Sequence, residues 1–322
     1  MDEPTATSTN SFSLKAHLET QYNITISQVT QLDQTVFRVD CQKLPSWVAR
    51  VFDSSCHIEI VEGDAEILRF LEQQSFPAER CANAEPVSTT PSGHHVLVTG
   101  FIEGRRPRKG EKLFPRLGDL LGRLHSFETG GLETLLRRGG AWHHICNEGS
   151  PKEEMQAALE MLKEARKNVP ADQLELVEKL KTKLKEMDDF EDLPHAFIHP
   201  DFVPSNSITS NNGELVIVDW VGAGTGPRVA SLGLLFWAAG HISMAQVEAV
   251  AVAYSKRVSL TEREVVRLSS AVWFRPLVLR CWEFCTGRTK LEDVVEDIAK
   301  MEDLADRITS VACKVFLDKR EG

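Results

Sequence analysis

The sequence predicts an α+β fold in two parts, a small antiparallel sheet with one helix over residues 1–103 and a larger, mainly helical region over 104–322. Strand-like stretches rich in β-branched and aromatic residues gather before Gly104, whereas from Leu117 onward apolar residues recur at three-to-four spacing. One exception interrupts the helical part: two apolar strands flank the hydrophilic turn Asn211-Asn212-Gly213.

Each element has its own signal. ITISQVTQL, TVFRVDC and SWVARVF, from Ile24 to near Val51, read as short antiparallel strands separated by polar breaks. Ile60, Val61, Ala65, Leu68 and Leu71 then follow helical spacing as far as Phe76-Pro77, where proline discourages continuation. HHVLVTGFI is a further strand, closed by Glu103-Gly104 and followed by the basic loop RRPRKGEK, where the two parts should divide. Leu117, Leu120, Leu121 and Leu124 place one apolar stripe toward a core. Ser150-Pro151 with Glu153 combines an N-cap, a proline at the first helical position and a capping carboxylate, opening a charged helical region to about Asp189. Pro170 should split that region, since the residue before a proline disfavours the helical conformation. Val229–Gly240 reads as a core helix. Thr261 with Glu264 caps a run to about Phe284, and a last acidic helix covers Leu291 to Phe316.

Composition narrows the function. With 322 residues and 42% apolar content the chain can bury a large core, and its net charge of −10 argues against a nucleic-acid partner, which would be held by lysine and arginine on phosphates. The seven cysteines form no CxxC pair and are odd in number, as expected of a reduced, intracellular protein. Cys281 and Cys285 stand four apart without a histidine at zinc-ligand spacing, so they read as buried thiols. MDEPTATSTNSF has neither the basic start nor the apolar stretch of a secretory signal, and no run is long enough to span a bilayer, so a cytoplasmic location away from membranes is expected.

Chemistry concentrates in AFIHPDFVPSNSI and ELVIVDWVGAGTGP. His199, Asp201 and Asn206 fit H-x-D-x-x-x-x-N, and Asp219 stands at the end of an apolar strand. Phosphoryl transfer needs these types together. The dense charge of a phosphate chain requires magnesium, which takes carboxylate or amide oxygens, and Asn206 and Asp219 suit that task. The incoming hydroxyl needs a second, nonchelating carboxylate to accept its proton, a role for Asp201. His199 then reads as a supporting, hydrogen-bonding residue.

At these residues the chain resembles the aminoglycoside phosphotransferase and choline kinase-like family, small-molecule kinases with a two-lobed, protein-kinase-like fold. FIHPDFVPSNSI is similar to the family's catalytic loop, IVDWVGAGTGP to its metal-binding segment, LGDLLGRLHSF to the helix preceding both, and VLVTGFIEG to the strand and glycine linking the lobes. The resemblance implies Asp201 as catalytic base, Asn206 and Asp219 as magnesium ligands, and backbone near Gly100 and Ile102 meeting the adenine of ATP or the base of another nucleoside triphosphate. It also implies that Arg50 touches the phosphates, and that the acceptor is a hydroxylated small molecule. Oligomeric state is left open.

Three departures from the family stand out. The hairpin TQLDQTVFRVD, expected to cover the phosphates, has no glycine, and side chains such as Gln34 or Thr35 would have to substitute. The helical acid that should pair with Arg50 is one of Glu62, Asp64 and Glu66, with the register favouring Asp64. Ser231 sits where many relatives place an aspartate. Two rival readings follow: a catalytically silent kinase-like scaffold, suggested by the hairpin, and a protein kinase, opposed by Asp-Trp in place of DFG and HPD in place of HRD. The basic residues Arg105, Arg106, Arg108, Lys109 and Lys112 read as a solvated loop, and Trp273, Phe274, Trp282 and Phe284 as core at helical spacing.

Overall fold

The computed structural model describes residues 6–108, 112–128, 136–140 and 149–321. Lys109 and Cys146 lie outside the described residues. Contacts divide the chain into two units: one runs to Arg106 and takes in Ile208–Asp219, the other comprises Pro107–Ser207 and Trp220 onward.

The first unit is built on a five-stranded antiparallel sheet. Its strands are β1 (Ile26–Asp33), β2 (Val36–Cys41), β3 (Trp47–Phe52), β4 (Val87–Thr89) and β5 (His95–Gly100), in the order β1-β2-β3-β5-β4. Alternation along the strands sorts the side chains onto two faces. Phe37, Val39, Trp47, Ala49, Val96 and Val98 are buried together with Leu14 and Leu18 of helix α1 (Ala6–Tyr22). The register Arg38↔Val48↔Thr99 and Val36↔Arg50↔Leu97 lines the opposite face, so Arg38, Arg50 and Thr99 look the same way. Helix α2 (Ile58–Gln73) buries Val61, Ala65, Leu68 and Leu71 as the spacing predicts. A second sheet joins β6 (Gly104–Arg105), β8 (Ser207–Ser210) and β9 (Leu215–Ile217), and Gly213 at φ 84 closes the β8–β9 turn.

Helix α1 is not signalled in the sequence, because Leu14 and Leu18 are too brief an apolar stripe to stand out and their burial depends on the sheet. The glycine-free tip between β1 and β2 is closed by side chains. Asp33 Oδ1 accepts from Gln34 N–H at 2.7 Å, and Gln31 Nε2 donates to the Gln34 carbonyl at 3.2 Å.

The second unit contains α3 (Leu113–His125), α4 (Pro151–Ala165), α5 (Leu174–Glu186), α6 (Arg228–Gly240), α7 (Met244–Tyr254), α8 (Glu262–Val266), α9 (Leu268–Cys285) and α10 (Leu291–Glu321). Ser150 Oγ caps α4 by accepting from Glu153 N–H, and Thr261 and Glu264 form the full reciprocal box. The single run expected after that box is two helices. Arg267 leaves helical geometry at φ −96, ψ 6, and its guanidinium is drawn to Asp188 at 2.6 Å and to Asp192. Strand β7 (His195–Ile198) pairs antiparallel with β10 (Gly224–Pro227). Phe274 is buried against Phe190, whereas Trp273, Trp282 and Phe284 are half-buried and Trp282 lies under Arg288. Arg105, Arg106, Arg108 and Lys112 are exposed. Among the described residues no helix is long and apolar enough to cross a membrane.

Candidate active site

In the second unit, the segment after β7 folds back on itself around Asp201. His199 is fully buried, edge-on to Trp220 at 4.7 Å and to Phe202 at 5.9 Å. Its Nδ1 accepts from Asp201 N–H at 3.0 Å, which fixes the neutral tautomer with the proton on Nε2. Asn206 Nδ2 donates to the Asp201 carbonyl at 3.0 Å, and Val203 N–H donates to the same oxygen at 2.9 Å. The Asp201 backbone is thereby satisfied at both ends. Its half-buried carboxylate makes no hydrogen bond or ion pair among the described residues. Because the amide nitrogen of Asn206 is committed to the loop, the oxygen Oδ1 is the atom left for a metal.

Packed elements hold this loop from behind. Ser231 Oγ on α6 donates to the His199 carbonyl at 3.4 Å, so the serine found in place of an aspartate supports the loop through a carbonyl. Arg275 on α9 donates to the Pro200 carbonyl at 3.2 Å and is itself paired with the buried Glu154 of α4 at 2.9 Å. A cavity of about 20 Å³, room for a single water, lies against Pro200, Ser231, Glu154 and Arg275.

The first unit carries the other candidates. Arg50 Nη2 donates to Asp219 Oδ1 at 2.6 Å, an ion pair across 169 positions of sequence. Asp219 has φ 69, left-handed for a residue that is not glycine. Its N–H donates to Glu79 Oε1 at 2.8 Å, and Glu79 Oε2 accepts from Thr99 Oγ1 at 3.0 Å. Burial pushes the Glu79 carboxyl above the usual carboxylate range, against the opposing pull of Arg50 and the Asp219 amide. Glu62 and Glu66 of α2 face solvent and Asp64 is buried, so of the three acids only Asp64 points inward. Gly100 ends β5 with its N–H on the Arg80 carbonyl at 2.8 Å, and Ile102 follows in an irregular stretch.

The sequence brought out His199, Asp201, Asn206, Asp219, Arg50, Gly100, Ile102 and Ser231, and missed Glu79, Thr99, Arg275 and Glu154. Glu79 sits in FPAERC with no motif around it, and the Arg275–Glu154 pair is separated by 121 positions, so neither leaves a local pattern. Asp219 and Asn206 each offer a hard oxygen, the donor type magnesium takes when waters and phosphates complete its shell. Cys281 is buried and Cys285 half-buried, and burial raises both thiols, Cys285 to about 11.

Comparison with known proteins completes the picture. Residues 25–268 match the model of the phosphotransferase enzyme family, APH. No curated protein sequence matches the chain. Among solved structures, amicoumacin kinase hAmiN in complex with AMP-PNP, Ca2+ and Ami has a TM-score of 0.65 at 15% identity, covering 94% of this chain and 96% of that one. The microcompartment-associated aminopropanol kinase gives 0.58 at 15%, covering 96% and 99%. Choline kinase LicA from Streptococcus pneumoniae gives 0.58 at 13%, covering 92% and 97%. At such identities the likeness speaks to the fold, a protein-kinase-like arrangement of an antiparallel sheet and a mainly helical part. With the family match extending over most of its length, the chain belongs to the APH phosphotransferase enzyme family.

Proposed function

We propose that the chain moves the terminal phosphate of ATP, with magnesium, to a hydroxyl of an amine-bearing small molecule, with Asp201 as the base. The observation that carries this reading is the bonding around Asp201: its N–H and carbonyl are taken up by His199, Asn206 and Val203, while its carboxylate is left for an incoming hydroxyl. A proton acceptor held by its backbone, with its side chain unspent, is what in-line transfer to an alcohol requires.

Magnesium, held by Asn206 Oδ1 and the Asp219 carboxylate, would neutralise phosphate charge. Arg50 would meet the phosphates as a fixed cation, and backbone near Gly100 and Ile102 would meet adenine. His199 orients Asp201 and does not serve as the base, since its accepting nitrogen is already bonded. The hAmiN complex contains AMP-PNP and Ca2+, which supports a nucleoside triphosphate and a divalent cation. The names of neighbours that act on aminopropanol and choline, together with a net charge of −10, support a cationic acceptor. Six unpaired cysteines among the described residues fit a reducing compartment, the cytoplasm.

The test is an ATP-consumption screen across hydroxylated amines, run with wild type, Asp201→Asn and Asp219→Ala. Asp201→Asn should lower kcat by about 10²–10⁴-fold with the fold retained by circular dichroism, the range expected when a positioned base is lost. Asp219→Ala should abolish magnesium-dependent nucleotide binding. Undiminished turnover in Asp201→Asn would remove the base assignment. Phosphate appearing on protein substrates and on no small molecule would favour a protein kinase.

A further inference from the structure

Asp219 lies in the left-handed backbone region, which costs energy outside glycine, and Glu79 holds it there: its Oε1 accepts from the Asp219 N–H while its Oε2 accepts from Thr99 Oγ1. The segment carrying Glu79 is itself fixed on both sides. Glu79 N–H donates to the Ile217 carbonyl at 3.2 Å and Ile217 N–H donates to the Pro77 carbonyl at 2.8 Å, which ties the stretch after α2 to the strand leading into Asp219. On the other side Cys81 bridges Thr99, and Arg80 holds Gly100. Glu79 therefore stands between the end of β5 and Asp219, with one carboxyl oxygen committed to each.

We propose that Glu79 is a positioning residue for the phosphoryl transfer: by accepting from the Asp219 amide while braced by Thr99, it holds Asp219 in the left-handed conformation that presents its carboxylate for the metal. This rests on the reading of Asp219 as a metal ligand. What matters is acceptance of the hydrogen bond and not the charge. Glutamine can accept from Asp219 N–H through its carbonyl oxygen, and its amide can donate to Thr99 Oγ1, so Glu79→Gln preserves both contacts with the donor at Thr99 reversed.

Three variants, Glu79→Gln, Glu79→Ala and Thr99→Val, are compared with wild type and Asp219→Ala. Binding of Mn2+ in the presence of ATP is followed by water-proton relaxation, and exchange of the Asp219 amide hydrogen by NMR. Glu79→Ala should weaken Mn2+ binding about 10–100-fold, the loss usual when a residue orienting a metal ligand is removed. Its Asp219 amide should lose protection, kcat should fall, and the KM for acceptor should stay the same. Glu79→Gln should restore both metal binding and amide protection. If Glu79→Ala does not fold, Thr99→Val, which removes one brace, should show a smaller loss of the same kind. Unchanged metal binding in Glu79→Ala, equal damage in Glu79→Gln, or an unaffected Thr99→Val each overturns the inference while Asp219→Ala still loses the metal. Metal binding retained in Asp219→Ala instead overturns the metal role of Asp219 and this inference with it.

Discussion

Glu154→Leu tests how the loop around Asp201 is held. Arg275 and Glu154 have side chains only 7% and 2% exposed and meet at 2.9 Å, and the guanidinium also donates to the Pro200 carbonyl at 3.2 Å. At an effective dielectric near 20, their attraction is about 5–6 kcal/mol, set against the loss of water by both ions. Removing one ion forfeits the attraction and leaves the other charge buried, a cost of about 3–5 kcal/mol. Glu154→Leu should therefore destabilise the protein by that amount. Replacing both, as Glu154→Leu with Arg275→Met, removes the buried charges at a gain of about 1–4 kcal/mol. It also leaves the Pro200 carbonyl without its donor, at about 1–3 kcal/mol, so the double variant should sit close to wild type. Urea unfolding followed by circular dichroism measures all of these, and the coupling is read from the cycle. Because Pro200 precedes Asp201, the double variant should recover stability without recovering full kcat. A cost below about 1 kcal/mol for Glu154→Leu, or a double variant as damaged as the sum of the singles, would refute the reasoning.

Two further outcomes concern the helical core. Burial drives the His125 imidazole, bonded to Tyr254 Oη at 2.8 Å, down to about 3. The unfolded chain takes up that proton from about pH 6.5 downward, so stability is full above 6.5 and falls by about 1.4 kcal/mol per pH unit as pH drops toward 3. Urea midpoints between pH 7 and 4.5 should fall more steeply in wild type than in His125→Gln, and equal slopes would refute this. A Cβ at Gly233 would lie 2.2 Å from the Ala271 carbonyl oxygen, backbone that cannot yield, so α6 and α9 must separate. Gly233→Ala should cost about 3 kcal/mol or more, seen as a lowered Tm.

Legibility in the sequence followed the range of the interactions. Elements set by neighbours in the chain were readable: the alternation of TVFRVDC, the Ser150-Pro151 start of α4, the break at Pro170 and the turn at Gly213 are all local devices. The loop motif was readable too, because His199, Asp201 and Asn206 are bonded to one another within eight positions. What escaped depends on distant partners. Helix α1 exists because Leu14 and Leu18 find a sheet face, and the split at Arg267 reflects acids 75 and 79 positions earlier. Glu79 acquires meaning only once Thr99 and Asp219 are folded around it, and no spacing rule links positions 79, 99 and 219.

The hairpin Ile208–Asp219 has a consequence for how the molecule is made. It belongs with the amino-terminal unit yet is encoded after the loop that carries Asp201, so Arg50 must wait for Asp219, a separation of 169 positions, before its counter-ion exists. Until then a ribosome-bound nascent chain holds Arg50 on β3 and Glu79 after α2 without the hairpin that brings Asp219 to both. Severing the gene at the first boundary would yield a fragment short of that hairpin, whereas a circularly permuted gene beginning near Trp220 would deliver the hairpin last.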